Sequence, residues 1–92
     1  MQDCLTDELN RIIANEDIAT LLQPIVNVEK RDVFGYEALS RGPSASPLHP
    51  AQMLFETAER CGLTLALETL CLSAAASSWS EQGSPNKLFV NL

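Results

Sequence analysis

Basic residues are scarce in this sequence. Six Lys and Arg stand against twelve Asp and Glu across 92 residues, giving a net charge of −6, and no stretch gathers the cations into a patch. A surface for polymeric nucleic acid or anionic lipid needs such a patch, so those partners are excluded as expectations. A small anionic ligand stays compatible, because one Arg and a bound cation suffice locally. Cysteine is also sparse. Cys4, Cys61 and Cys71 are odd in number and show no CxxC spacing, which argues against a disulfide framework or a zinc site. Lying among apolar neighbours in helical stretches, all three are expected to be small buried hydrophobes. The opening "MQDCLTDELN" lacks the basic and apolar regions of a signal peptide, and no apolar run is long enough to span a bilayer. These features fit a reducing cytoplasm. There is no internal repeat, no serine or cysteine triad pattern, no P-loop and no Rossmann glycine fingerprint.

What is present reads as ordinary globular material, 46% hydrophobic and 20% charged, with enough chain for a modest core. Leu5, Leu9, Ile12 and Ile13 recur at helical spacing, predicting a helix over 4–14 capped by Asp3. "ATLLQPIVNV" predicts a strand over 20–28. Pro24 within it cannot donate to a ladder, so that strand belongs at an edge, at a bulge or unpaired there. Four charged residues, "EKRD", separate it from a second strand-like run, "VFGYEALS". A connection so short permits only an antiparallel pair, since a parallel return needs a crossover of about a dozen residues or more.

The Pro/Ser/Gly loop "GPSASPLHP" ends the second strand. A helix then begins at Pro50, buries Leu54, Ala58 and Cys61, and stops at Gly62. Thr64 is placed to cap a third helix reaching about Trp79, with Leu67, Leu70, Cys71, Ala74 and Ala75 as its buried stripe. "EQGSPN" reads as a turn and "KLFVNL" as another strand. Strands separated by helices imply a parallel α/β sheet after the initial hairpin. The sequence stops inside an apolar strand, whereas domain boundaries fall in polar linkers, so it reads as cut short.

Candidate chemistry concentrates on "VFGYEALSRGP". A period of two sends Glu37, Leu39 and Arg41 to one face and Tyr36, Ala38 and Ser40 to the other. Two readings stand side by side: a Glu–Arg ion pair on an exposed strand edge, or a ligand site at the strand's C-terminal end, where parallel α/β sheets bind their ligands. Asn91 interrupts the last apolar run, either as a turn residue or as an amide oxygen able to ligate a hard cation beside Glu37. Gln23, beside Pro24, either hydrogen-bonds a ligand or satisfies local backbone. His49 is expected to be a loop or capping histidine, and Glu56 and Glu59 a solvated helix face.

With those residues in view, "GYEALSRG" resembles the signature of the EAL domain, the bacterial cyclic di-GMP phosphodiesterase module. "LLQPIVN", "HPAQMLFETAERCGL" and "KLFVNL" match the family pattern in the same order, so the resemblance runs from about Leu21 to Leu92. It implies an α/β fold, part of a TIM-like (β/α)8 barrel whose first strand runs antiparallel to the rest. A whole barrel takes about 250 residues. Residues 1–92 are therefore expected to be its N-terminal part: a leading helix and connection over 1–19, then strands 1 to 3 with their helices over 20–92.

The resemblance further implies Glu37 and Asn91 as ligands of a catalytic Mg²⁺ or Mn²⁺, two such ions in an intact domain. It implies Arg41 as the phosphate contact, Leu39 as pocket lining and Gln23 as a ligand contact. The implied reaction is metal-dependent hydrolysis of cyclic di-GMP to linear pGpG, with the 92 residues alone inactive because the other acids and the lysine of the family lie beyond them. The alternative is a non-catalytic cyclic di-GMP receptor or regulatory interaction module. Expected partners are cyclic di-GMP, sensory or cyclase domains, and a second copy if the open sheet edge pairs between chains.

Overall fold

The computed structural model describes residues 4–83 and 87–90. The order of elements is α1 (Cys4–Ala14), β1 (Ala19–Asn27), β2 (Asp32–Arg41), α2 (Ala51–Cys61), α3 (Thr64–Gln82) and β3 (Lys87–Val90). The sheet order is β1-β2-β3. β1 and β2 pair antiparallel across the charged turn, and β2 and β3 pair parallel after the two-helix crossover. The short first connection requires the antiparallel pair, and the long crossover permits the parallel one that the alternation of helices and strands implies.

Pro24 sits inside β1, which among the described residues is an edge strand with only β2 as a neighbour. The ladder shifts register between Ile25 and Val26. Ile25 opposes Gly35 and Val26 opposes Val33, so Phe34 is left over as a bulge. A bulge re-aims side chains, and this one has consequences for the site below.

The main core is built by the helices. Leu9 and Ile12 of α1, Leu54 and Ala58 of α2, and Leu67 and Cys71 of α3 close around Leu48 from the β2–α2 loop, with Leu5, Ile13, Ile18, Phe55 and Leu63 packed against them. Helical spacing explains the choice, because each helix sends one stripe inward. Burying a leucine completely stabilises the fold by roughly 1.5–3 kcal/mol. One face of the sheet rests on α3, where Tyr36 meets Trp79 at 5.6 Å between ring centroids and Ala38 and Ala75 are buried.

Several local expectations are corrected. Cys4 is exposed rather than buried, because it lies off the stripe that Leu5, Leu9 and Ile12 send to the core. Cys61 is half-buried beside Thr6, and Cys71 alone is fully enclosed. Within α2 the buried set is Leu54, Thr57 and Ala58. Thr57 can be enclosed because its hydroxyl donates to the Met53 carbonyl at 2.7 Å. Pro50 occupies the extended position before α2 rather than its first turn. Thr64 is the first residue of α3 and supplies no side-chain cap. That helix runs to Gln82, three residues beyond the expected end, and Leu70 and Ala74 are half-buried rather than part of the core. Gly62 ends α2 with φ 71°, a left-handed conformation that L-residues adopt only at a cost. The expected cap Asp3 and the turn residues 84–86 lie outside the described residues.

Candidate functional site at the end of the second strand

Among the described residues, the face of the sheet opposite α3 carries no helix. On it Glu37, Leu39 and Arg41 follow at alternate positions of β2, each half-buried. Gln23 of β1 is the cross-strand partner of Glu37, Leu21 partners Leu39, and Ala19 partners Arg41. On the other side of β2, Phe89 of β3 is in register with Glu37. Residues in register share a face, so Gln23, Glu37 and Phe89 form one row across three strands. Leu21 and Phe89 are large apolar residues with 53% and 39% of their surface exposed on this face.

Phe34 joins the same face because of the bulge. Strict alternation would send it with Tyr36, yet it stacks on Phe89 at 5.8 Å between ring centroids, while Tyr36 meets Trp79 on the opposite side. Gly35 makes this possible. A Cβ there would lie 2.8 Å from both the Lys87 carbonyl and the Phe89 ring. Phe34 and Phe89 were not singled out from the sequence; the readable signal was a glycine inside a strand, which marks a bulge or a close approach.

Arg41 ends β2. Its guanidinium donates to the Ser40 carbonyl at 2.9 Å, and no ion pair among the described residues involves Glu37 or Arg41. The exposed-edge Glu–Arg pair, one of the two readings open from sequence, is therefore absent from this face. A cavity of about 310 Å³ opens beside Arg41 at the gap between β2, β3 and the helices, lined by Leu39, Phe55, Glu68, Cys71 and Val90 among others. Burial pushes the Cys71 thiol above its ordinary range, and a hydrogen bond with Ser40 works against that shift.

Glu37 supplies a single carboxylate. Among the described residues no three His, Cys, Asp or Glu side chains gather as a metal site, and a hard divalent cation takes about six oxygen ligands. The described donors therefore do not by themselves fit a bound Mg²⁺ or Mn²⁺. Asn91, the second expected ligand, lies outside the described residues. His49 is a loop histidine, its Nδ1 2.9 Å from the Gly42 carbonyl. Glu56 and Glu59 are exposed, as a solvated face requires. No helix among the described residues is long and apolar enough to cross a membrane.

Residues 6–92 match the family model of the EAL domain. Among solved structures, the crystal structure of the FimX EAL domain superposes on the chain with a TM-score of 0.75 at 21% sequence identity, over 100% of this chain and 39% of that one. At that identity the likeness speaks for the fold, a partial (β/α) barrel, and the chain spans about two-fifths of that structure's length. No curated protein matches the sequence.

Proposed function

Because the chain belongs to the EAL domain family, we propose that the open face of its sheet is one wall of a cyclic di-GMP site in a phosphodiesterase that yields linear pGpG. What carries the reading is Arg41: a half-buried guanidinium at the C-terminal end of a sheet strand, on the same face as Glu37 and paired with no carboxylate among the described residues. A guanidinium so placed is suited to a phosphate oxygen. Leu39, with Leu21 across the strand, offers an apolar surface to a nucleobase and keeps water from that side. Gln23, in the row with Glu37, can donate or accept a hydrogen bond at the ligand.

The chemistry a bound Mg²⁺ or Mn²⁺ supplies in such a site is water activation and charge stabilisation. Glu37 would be one ligand and Asn91 a second, with the remainder outside this chain. The residues of the chain hold and orient the ligand; they do not complete a hydrolytic centre. Covalent continuity with sensory or cyclase domains, and a cytoplasmic location, belong to the same proposal.

The test is a titration of the full-length polypeptide with cyclic di-GMP, with and without Mg²⁺ or Mn²⁺, alongside chromatographic detection of pGpG. Arg41→Ala is expected to weaken binding about tenfold to a hundredfold, the equivalent of roughly 1.5–3 kcal/mol for hydrogen bonds to a charged group. Glu37→Ala is expected to abolish turnover while binding persists. Undiminished turnover in Glu37→Ala removes Glu37 from the chemistry. Binding without turnover in the wild type leaves a receptor instead of an enzyme, and no binding at all defeats both.

A further inference from the structure

Arg41 is the last residue of β2, a place where a side chain would ordinarily inherit the mobility of the loop that follows. The structure instead ties the backbone on both sides of Arg41 to α1. Arg11 Nε and Nη2 donate to the two carboxylate oxygens of Glu8 at 2.8 and 3.2 Å, and Arg11 Nη1 reaches Asp17 at 3.4 Å. The Ser46 hydroxyl donates to Glu8 Oε2, and the Leu48 amide donates to that hydroxyl oxygen at 3.0 Å. Ser46 and Leu48 belong to the loop that leaves Arg41. The loop closes on itself where the Gly42 amide donates to the His49 carbonyl at 3.1 Å. On the other side, Asp17 lies two residues before Ala19, the ladder partner of Arg41. The path therefore runs from Arg41 through Gly42, Ser46, Glu8, Arg11, Asp17 and Ala19 back to Arg41.

We propose that Glu8 is a positioning residue for Arg41: through Ser46 it locks the β2–α2 loop, and through Arg11 and Asp17 it locks the start of β1, so that the arginine meets its ligand from a fixed backbone. Glu8 touches neither ligand nor Arg41. Arg11 grips both oxygens of the Glu8 carboxylate, which orients it toward Ser46. Leu48, fully buried in the helical core, ties the loop into α1 by packing as well as by hydrogen bonds. The inference rests on the phosphate role proposed for Arg41, and fixing such a group in advance is what raises affinity without adding a contact.

The experiment uses the full-length polypeptide and four variants: Glu8→Gln, Ser46→Ala, Arg41→Ala and the Glu8→Gln/Arg41→Ala pair. Two readouts are taken, the dissociation constant for cyclic di-GMP and native-state amide exchange over 42–49. Glu8→Gln and Ser46→Ala are each expected to speed exchange in that loop about tenfold and to weaken binding about threefold to tenfold. In the Arg41→Ala background, Glu8→Gln is expected to have no further effect on binding, since groups acting through one contact are not additive. A Glu8→Gln loss that persists undiminished without Arg41 overturns the proposal, and so does unchanged exchange over 42–49. If the wild type binds no cyclic di-GMP, the functional reading fails and the exchange result alone decides whether the clamp exists.

Discussion

Gly42 follows Arg41, and replacing it with alanine should disturb stability and site together. A Cβ built there lies 2.2 Å from the Leu48 carbonyl oxygen, 2.8 Å from its carbon and 3.3 Å from the His49 nitrogen. These are backbone atoms and cannot rotate away. Restoring ordinary contact at 3.4 Å requires the loop to withdraw by about 1.2 Å. That withdrawal breaks the Gly42 N–H to His49 carbonyl bond, now 3.1 Å, and the His49 Nδ1 contact, now 2.9 Å. Two lost hydrogen bonds at about 1 kcal/mol each, added to roughly 1–3 kcal/mol of overpacking, give a cost of about 3–5 kcal/mol. Each kcal/mol is worth about 4–8 °C in a domain of this size, so Tm should fall by at least about 12 °C.

Gly62→Ala is the control. Its φ of 71° also disfavours alanine, but nothing lies within 4 Å of the new Cβ, so the cost is the left-handed backbone alone, about 1–2 kcal/mol. Thermal unfolding followed by circular dichroism measures both variants, and a cyclic di-GMP titration should show a loss for Gly42→Ala only. A Gly42→Ala protein melting within about 2 °C of wild type would refute the reasoning, because the loop would then have room that the contacts deny it.

Leu9→Ala removes a completely buried side chain from the helical core and should cost about 2–5 kcal/mol in a urea titration, showing that α1 is integral to the fold. Thr20→Val should stabilise by about 1 kcal/mol, because the Thr20 hydroxyl oxygen is buried with no hydrogen-bond partner among the described residues; Tm rising by about 4–8 °C supports this, and a fall contradicts it. The carboxyl of Glu8 is held from 4.5 down to about 2, first by the hydrogen bond from Arg11 and then by that from Ser46. A depressed acid stabilises the folded state only while ionised. Its contribution is therefore complete above about pH 4.5 and is lost as pH falls towards about 2; Glu8→Gln should flatten that part of the stability–pH curve.

The hairpin is legible from letters because four charged residues between two apolar runs leave the chain no other geometry, and the helices are legible from their stripes. The face shared by Glu37, Leu39 and Arg41 follows from the period of a strand. Phe34 is not legible, since a bulge reverses the parity on which such assignments rest. Nor is the circuit of contacts that ties the backbone beside Arg41 to α1. Glu8 and Arg11 form a local pair three residues apart, but Ser46 meets Glu8 from 38 residues away, and only tertiary packing of α1 brings the two together. Cys4 was misplaced for a related reason: an apolar neighbourhood in sequence does not say which side of the first turn faces the core.

A crystal structure of the full-length polypeptide with cyclic di-GMP and a divalent cation tests the central claim most directly. The expected result is a phosphate oxygen within about 3 Å of the Arg41 guanidinium, a nucleobase against Leu39, and the cation on Glu37. A dinucleotide seated elsewhere, with Arg41 still folded onto the Ser40 carbonyl, would contradict it.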